Sequence, residues 1–302
     1  MVILSFLTGV LLTWLIMSGL LSQGLALLIR IWWPSSSPAR EFKIDQWLRN
    51  IPEEPSSGWS LLGYWKETSK YQQACSEMAG LLADKACLSN KHKVLDMGFT
   101  SHDQLLVWLD YYQVDSLTAV VRDEELFARA NDTCGHFDAL NLVRGGEQAL
   151  EHQPAGAFDK VLALDCVYQF NDKKMFFSNS RKLLKPGGTL AFTDMVLERP
   201  FNSRFEQRFI EYLGRISGVR AEDMLTLGDY ELQLRSLGFE HIEVVDITED
   251  VLSGFCFWFG QHYQSLSIHT RSKLWIRLRL FVWFIRWMQH KGQLRYQLIV
   301  AK

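Results

Sequence analysis

Between Val2 and Ile29 the 302-residue chain carries no charged side chain at all. Lys and Arg are absent from the start of that run, and it is longer than the short apolar core of a cleaved leader. It therefore predicts a retained membrane-spanning helix, which needs about 20 apolar residues. Cysteine is scarce and odd in number: Cys75, Cys87, Cys134, Cys166 and Cys256, with no Cys-x-x-Cys pair. That pattern excludes a disulfide framework and a cysteine zinc site, and it implies free thiols in a reducing compartment and no bound metal. The charge balance is nearly even, at −2, so nothing points to nucleic acid as a partner. No Gly-x-Gly-x-x-Gly follows a strand, which argues against a dinucleotide oxidoreductase.

What is present explains the 48% apolar content and the 11 tryptophans. After the uncharged run come Arg30, Trp32 and Trp33, then Arg40, Lys43 and Arg49. Interfacial tryptophans and trailing cations predict residues 1–33 as a single-pass anchor, with the body of the chain on the cytosolic side. Residues 34–58 read as a linker, because four of the seven prolines fall between Pro34 and Pro55 among serines. Residues 59–302 form one large α/β domain. Within it, 255–290 is aromatic and arginine-bearing, with Arg271, Arg279 and Arg286 at helical spacings that bring them to one side. Two readings stay open for this helix: it lies on a membrane interface with snorkelling cations, or it packs on the domain with a basic edge.

The domain is organised around Lys93 to Asp103, KVLDMGFTSHD. An apolar run, an acid (Asp96) and a glycine (Gly98) predict a short buried strand that ends in a tight turn. In α/β sheets the ligand sits beyond the carboxyl ends of such strands. The remainder alternates. A helix begins near Thr68, with Tyr71, Cys75, Met78, Leu81 and Leu82 on one side. Strands are expected at Ser116–Val121, Leu140–Val143, Phe158–Asp165 and Thr189–Thr193, then in GFEHIEVVDIT and at Leu294–Ala301. Helices are expected at Leu105–Tyr112, Glu124–Ala130 and Lys173–Leu184, the last stopped by Lys185-Pro186-Gly187-Gly188. This rhythm predicts a doubly wound sheet.

VLDMGFTSHDQ, FDKVLALDCVYQF and LLKPGGTLAFTD together resemble the class I S-adenosylmethionine-dependent methyltransferases, in the branch acting on tocopherols, sterols, quinones and related lipophilic compounds. The resemblance covers the chain from about residue 60 onward. It implies a Rossmann-like fold with a mostly parallel seven-stranded sheet, here behind an N-terminal transmembrane helix. It also implies S-adenosylmethionine as cofactor and a hydrophobic small molecule of lipid or secondary metabolism as substrate. By the same resemblance, Asp96, Gly98, Asp103 and Gln104 form the first cofactor loop, Gly146 and Glu147 flank the adenine, and Asp165 and Cys166 face the methyl group. Gly63, Tyr64 and Trp65 match the amino-terminal lid of such enzymes or, alternatively, cap the core.

Four positions depart from the pattern: Thr100 and His102 where glycines are usual, Val121 where an acid usually ends the second strand, and Gln169 where relatives often carry histidine. Asp123 would replace the missing acid only if its loop moved by two residues. Methyl transfer requires donor and acceptor held about 3 Å apart in a dry site, often with removal of a proton, which a glutamine cannot take up. Two functions follow from different classes. One is a methyltransferase acting on a lipophilic molecule at a membrane; the other is an inactive methyltransferase-like module that binds a lipid or a protein.

Overall fold

The computed structural model describes residues 57–217, 223–265 and 273–302. The uncharged run Val2–Ile29, its flanking residues and Arg271 lie outside them. Among the described residues, no helix is long and apolar enough to cross a membrane.

Helix α1 (Tyr71–Lys85) leads into strand β1 (Lys93–Met97). Then come α2 (His102–Leu106), which continues as a π-helical turn through Tyr111, β2 (Ser116–Val121), α3 (Glu124–Cys134) and β3 (Leu140–Arg144). The second half holds β4 (Phe158–Ala163), α4 (Lys173–Leu183), β5 (Leu184–Leu197), α5 (Arg204–Ser217) and α6 (Leu227–Ser236). It closes with β6 (Ile242–Asp246), α7 (Gly254–Ser265), α8 (Lys273–His290) and β7 (Leu294–Ala301).

The seven strands form one sheet in the order β3-β2-β1-β4-β5-β7-β6. β1 pairs in parallel with both β2 and β4, β4 with β5, and β2 with β3; β7 alone runs antiparallel, inserted between β5 and β6. The Rossmann-like sheet expected from the alternation is therefore present. The order reverses between β1 and β4, the kind of switch point beyond whose strand ends α/β sheets place their ligands.

The strands read as they do because both faces are covered. Val94, Leu95, Leu117, Val120, Val161, Leu162, Leu190 and Phe192 are all fully buried, so the central strands are continuously apolar rather than alternating. The helices begin where side chains satisfy their first amide groups. Ser101 caps α2, Asp123 caps α3, Asp172 caps α4, and Thr226 with Asp229 forms a reciprocal box on α6. Leu105–Tyr112, expected as one regular helix, starts three residues earlier and turns π-helical at Val107.

Helix α8 buries Leu278, Phe281, Phe284, Ile285 and Met288. Its Arg286 Nη2 donates to the Cys256 carbonyl at 3.0 Å, and Arg279 lies 4.8 Å from the Tyr263 ring centre. Both arginines contact α7, and α8 packs on the domain through its buried side.

Candidate active site

Asp96 is fully buried near the carboxyl end of β1. Its Oδ2 accepts hydrogen bonds from Gln104 Nε2 and Trp108 Nε1, both at 2.7 Å. Burial pushes its pKa from 3.8 up to about 7, and the two donors only partly oppose this. Three acceptors on this loop are buried and have no partner among the described residues: Asp96 Oδ1, Thr100 Oγ1 and Gln104 Oε1. Buried polar atoms are normally satisfied, so three on one loop mark a place for a polar, donor-rich ligand. The ammonium of a methionine moiety is such a group.

Gly98 follows at φ +77°, a left-handed conformation that favours glycine. A β-carbon there would meet Cys166 Sγ at 3.0 Å and the Phe170 ring at 3.2 Å. The Cys166 thiol reaches the Met97 carbonyl at 3.2 Å, and burial holds its pKa well above the usual thiol value. Asp96, Gly98, Gln104 and Cys166 are thus brought into one cluster at the ends of β1 and β4.

Asp165 extends this cluster. It is fully buried just past β4, with φ +50°, a left-handed backbone that is uncommon outside glycine and asparagine. Its Oδ1 accepts from Tyr296 Oη at 2.5 Å and its Oδ2 from the Leu62 amide at 2.6 Å, while Tyr168 supplies a further hydrogen bond. Burial raises its pKa to about 7 against these donors. Thr193 Oγ1 bridges the Asp165 amide, at 2.8 Å, and Tyr296 Oη, at 3.2 Å. Beside it, Asp194 accepts from Lys173 Nζ at 2.6 Å and from the Tyr230 hydroxyl, all three being buried.

The nucleotide end departs from the expected acid. Val121 ends β2, and Arg122 turns its guanidinium onto the buried carboxylate of Glu147, whose Oε1 accepts the Asn171 amide at 2.7 Å. A β-carbon on Gly146 would strike that guanidinium at 2.7 Å. Asp123, two residues beyond Val121, caps α3 by accepting the Glu125 and Leu126 amides.

A strap of residues 58–62 runs along the β1 loop. The Gly58 amide donates to Asp103 Oδ2 at 2.6 Å, Ser60 Oγ donates to the Thr100 carbonyl at 2.8 Å, and Leu62 reaches Asp165. His102 lies under Gly58, where a β-carbon would come within 2.6 Å of the imidazole. Asp103 thus holds the strap, not the cluster around Asp96. Trp65, one of the two lid candidates, stacks on Trp258 at 5.2 Å, which places it in the core cap.

Sequence reasoning missed Tyr296, Tyr168, Trp108, Arg122 and the strap. Trp108 alone left a signal, one helical turn beyond Gln104 on the same face as Asp96's other donor.

A methyltransferase-domain family model matches residues 95–192, from β1 into β5. The chain is 28% identical over 213 residues to erythromycin 3''-O-methyltransferase of Saccharopolyspora erythraea, covering 68% of this chain and 70% of that protein. It is 26% identical over 191 residues to 27-O-demethylrifamycin SV methyltransferase of Amycolatopsis mediterranei, covering 62% and 68%. Its fold matches geranyl diphosphate C-methyltransferase from Streptomyces coelicolor A3(2) with a TM-score of 0.63, at 14% identity and over 88% and 98% of the two chains. With the unpartnered acceptors around Asp96, the switch point between β1 and β4 and this matched segment taken together, the chain is an S-adenosylmethionine-dependent methyltransferase.

Proposed function

We propose that the chain methylates a hydroxyl group on a bulky lipophilic small molecule, and that it does so at a membrane surface. The observation that carries the chemistry is Asp165, a buried carboxyl with a pKa of about 7 in a cage of tyrosine hydroxyls beside the cofactor cluster. The names of two similar relatives, erythromycin 3''-O-methyltransferase and 27-O-demethylrifamycin SV methyltransferase, support oxygen as the acceptor atom and secondary metabolism as the setting.

The cofactor supplies an electrophilic methyl group on a sulfonium. The chain's own residues do the rest. Asp96, Thr100 and Gln104 offer the acceptors that hold its ammonium, and Gly98 allows the backbone to come close. Cys166 and Phe170 wall the centre of the site against water. Asp165 takes the hydroxyl proton, because its proton affinity is matched to neutral pH and Tyr168 and Tyr296 stabilise its charged form. Gln169 has no part in proton transfer. The strap must lift for the cofactor to reach the loop, since it now holds the Thr100 carbonyl directly.

The membrane part of the reading rests on the uncharged run Val2–Ile29 and the cations behind it. The test uses the full chain and methyl-labelled S-adenosylmethionine with a lipophilic extract of the source cells. The expected product is a labelled methyl ether that partitions into the organic phase. Label confined to nitrogen, or to water-soluble products, would overturn the substrate class. In parallel, the full chain should stay with the membrane pellet after an alkaline carbonate wash, and recovery in the supernatant would remove the anchor.

A further inference from the structure

The largest apolar side chains left exposed on α5 and α8 are not scattered. Phe205 is 55% exposed, Trp283 49% and Leu280 38%. Phe205 stacks on Phe209 with ring centres 6.3 Å apart, Phe209 meets Trp287 edge-on at 6.0 Å, and Trp287 stacks on Trp283 at 6.3 Å. These four rings make one continuous strip across two helices, and Leu280 extends it one turn along α8. Phe209 and Trp287 root the strip on the core, while Leu278, Phe281, Phe284, Ile285 and Met288 bury the other side of α8 and leave Phe205, Trp283 and Leu280 outside it. Connected exposed aromatics of this kind mark an interaction surface.

The charges around the strip select the occupant. On α5, Arg204 and Arg208 are exposed on either side of Phe205. The acids of that helix are withdrawn: Glu206 is bound by Arg199 at 3.1 Å, and Glu211 is buried and bound by Gln207 at 2.9 Å. Tryptophan and phenylalanine flanked by unpaired-sign cations match an anionic headgroup layer over an aliphatic interior. Chain reach agrees. From Trp33 to Ser57 the linker spans at most about 80 Å when fully extended, so a domain anchored by residues 2–29 stays close to the bilayer.

We propose that this strip, Phe205–Phe209–Trp287–Trp283 with Leu280, Arg204 and Arg208, is a second lipid contact that seats the catalytic domain on an anionic bilayer. The inference rests on the membrane reading above and adds the face that touches the lipid. Helix α5 follows the carboxyl end of β5, and α8 leads into Leu294, which pairs with Leu197 at that same end. The seated face is therefore at the same end of the sheet as the cluster around Asp96 and Asp165.

The test reconstitutes the full chain into vesicles of phosphatidylcholine with phosphatidylserine and a photoactivatable phospholipid, and maps labelled peptides by mass spectrometry. Labelling is expected on residues 1–33 and on the peptides holding Phe205 and Trp283. Most of the labelling on α5 and α8 should be lost in Trp283→Asp with Phe205→Asp, and likewise in Arg204→Gln with Arg208→Gln, while residues 1–33 remain labelled. The arginine pair changes no apolar contact, so it keeps the test valid if the aspartates unfold the helices; a thermal melt identifies that case. Labelling confined to residues 1–33 overturns the second contact and leaves the anchor standing. No labelling anywhere overturns both. Cross-links from the strip to residues 2–29 or to a second copy give the strip a protein occupant and overturn the proposal.

Discussion

Asp96→Asn is expected to stabilise the ligand-free protein while weakening cofactor binding, and the two effects separate with pH. Burial raises the Asp96 pKa from 3.8 to about 7. A shift of about 3 units corresponds to roughly 4 kcal/mol, at about 1.4 kcal/mol per unit. The folded state binds the proton more tightly than the unfolded one, so folding is favoured in acid. Stability then falls as pH rises from about 4 to about 7, and the full cost is present above that window. Asparagine cannot ionise. Its amide oxygen can keep the Gln104 and Trp108 bonds, and its Nδ2 inherits the unpartnered place of Oδ1 at a cost of about 1–3 kcal/mol. The net gain at pH 8 is therefore roughly 1–3 kcal/mol, a rise in melting temperature of about 2–10 °C for a domain of this size. At pH 5 the parent carboxyl is already protonated and most of the gain disappears. Differential scanning fluorimetry of parent and variant at pH 5 and pH 8 measures this directly. Calorimetry at pH 8 should show S-adenosylmethionine binding weakened at least about tenfold, or 1.4 kcal/mol, because the charged partner of the ammonium is gone. An equal melting shift at both pH values would refute the burial argument. Undiminished affinity in the variant would refute the placement of the cofactor.

Three further outcomes follow from the same geometry. Tyr296→Phe removes a donor that lowers the Asp165 pKa, so the acidic limb of the pH–rate profile should move upward from about 7, whereas Asp165→Asn should cost about 10²–10⁴ in turnover. Lys173→Met leaves Asp194 buried beside Tyr230 without its cation and should cost about 3–5 kcal/mol by denaturant unfolding, more than Lys173→Met with Asp194→Leu together. Gly254→Ala would place a methyl group 2.5 Å from Trp65 Cβ and should lower stability by about 1–3 kcal/mol; an unchanged denaturation midpoint would contradict the tight contact of α7 with Trp65.

The sequence by itself determined the sheet and put Asp96 and Asp165 near the carboxyl ends of β1 and β4. Short continuous apolar runs alternating with helical stretches fit central parallel strands, Lys185-Pro186-Gly187-Gly188 ends the helix before it, and an acid closing such a run lies near a carboxyl end. These signals are local, so spacing alone reveals them. Only the tertiary structure decided which groups meet those acids. Tyr296 reaches Asp165 from 131 residues away because β7 folds back antiparallel beside β5. Leu62 does so across 103 residues through a strap with no periodicity to read. Arg122 finds Glu147 only because β2 and β3 are neighbours in register. On α8 the spacing of Arg279 and Arg286 specified one side of a cylinder, and α7, packed beside that side, gave Arg286 the Cys256 carbonyl and Arg279 the Tyr263 ring, while Trp283 and Leu280 stay exposed without such partners on α7. Periodicity defines a residue's angle on its own element, whereas its partner is set by how elements far apart in the chain come to share a core.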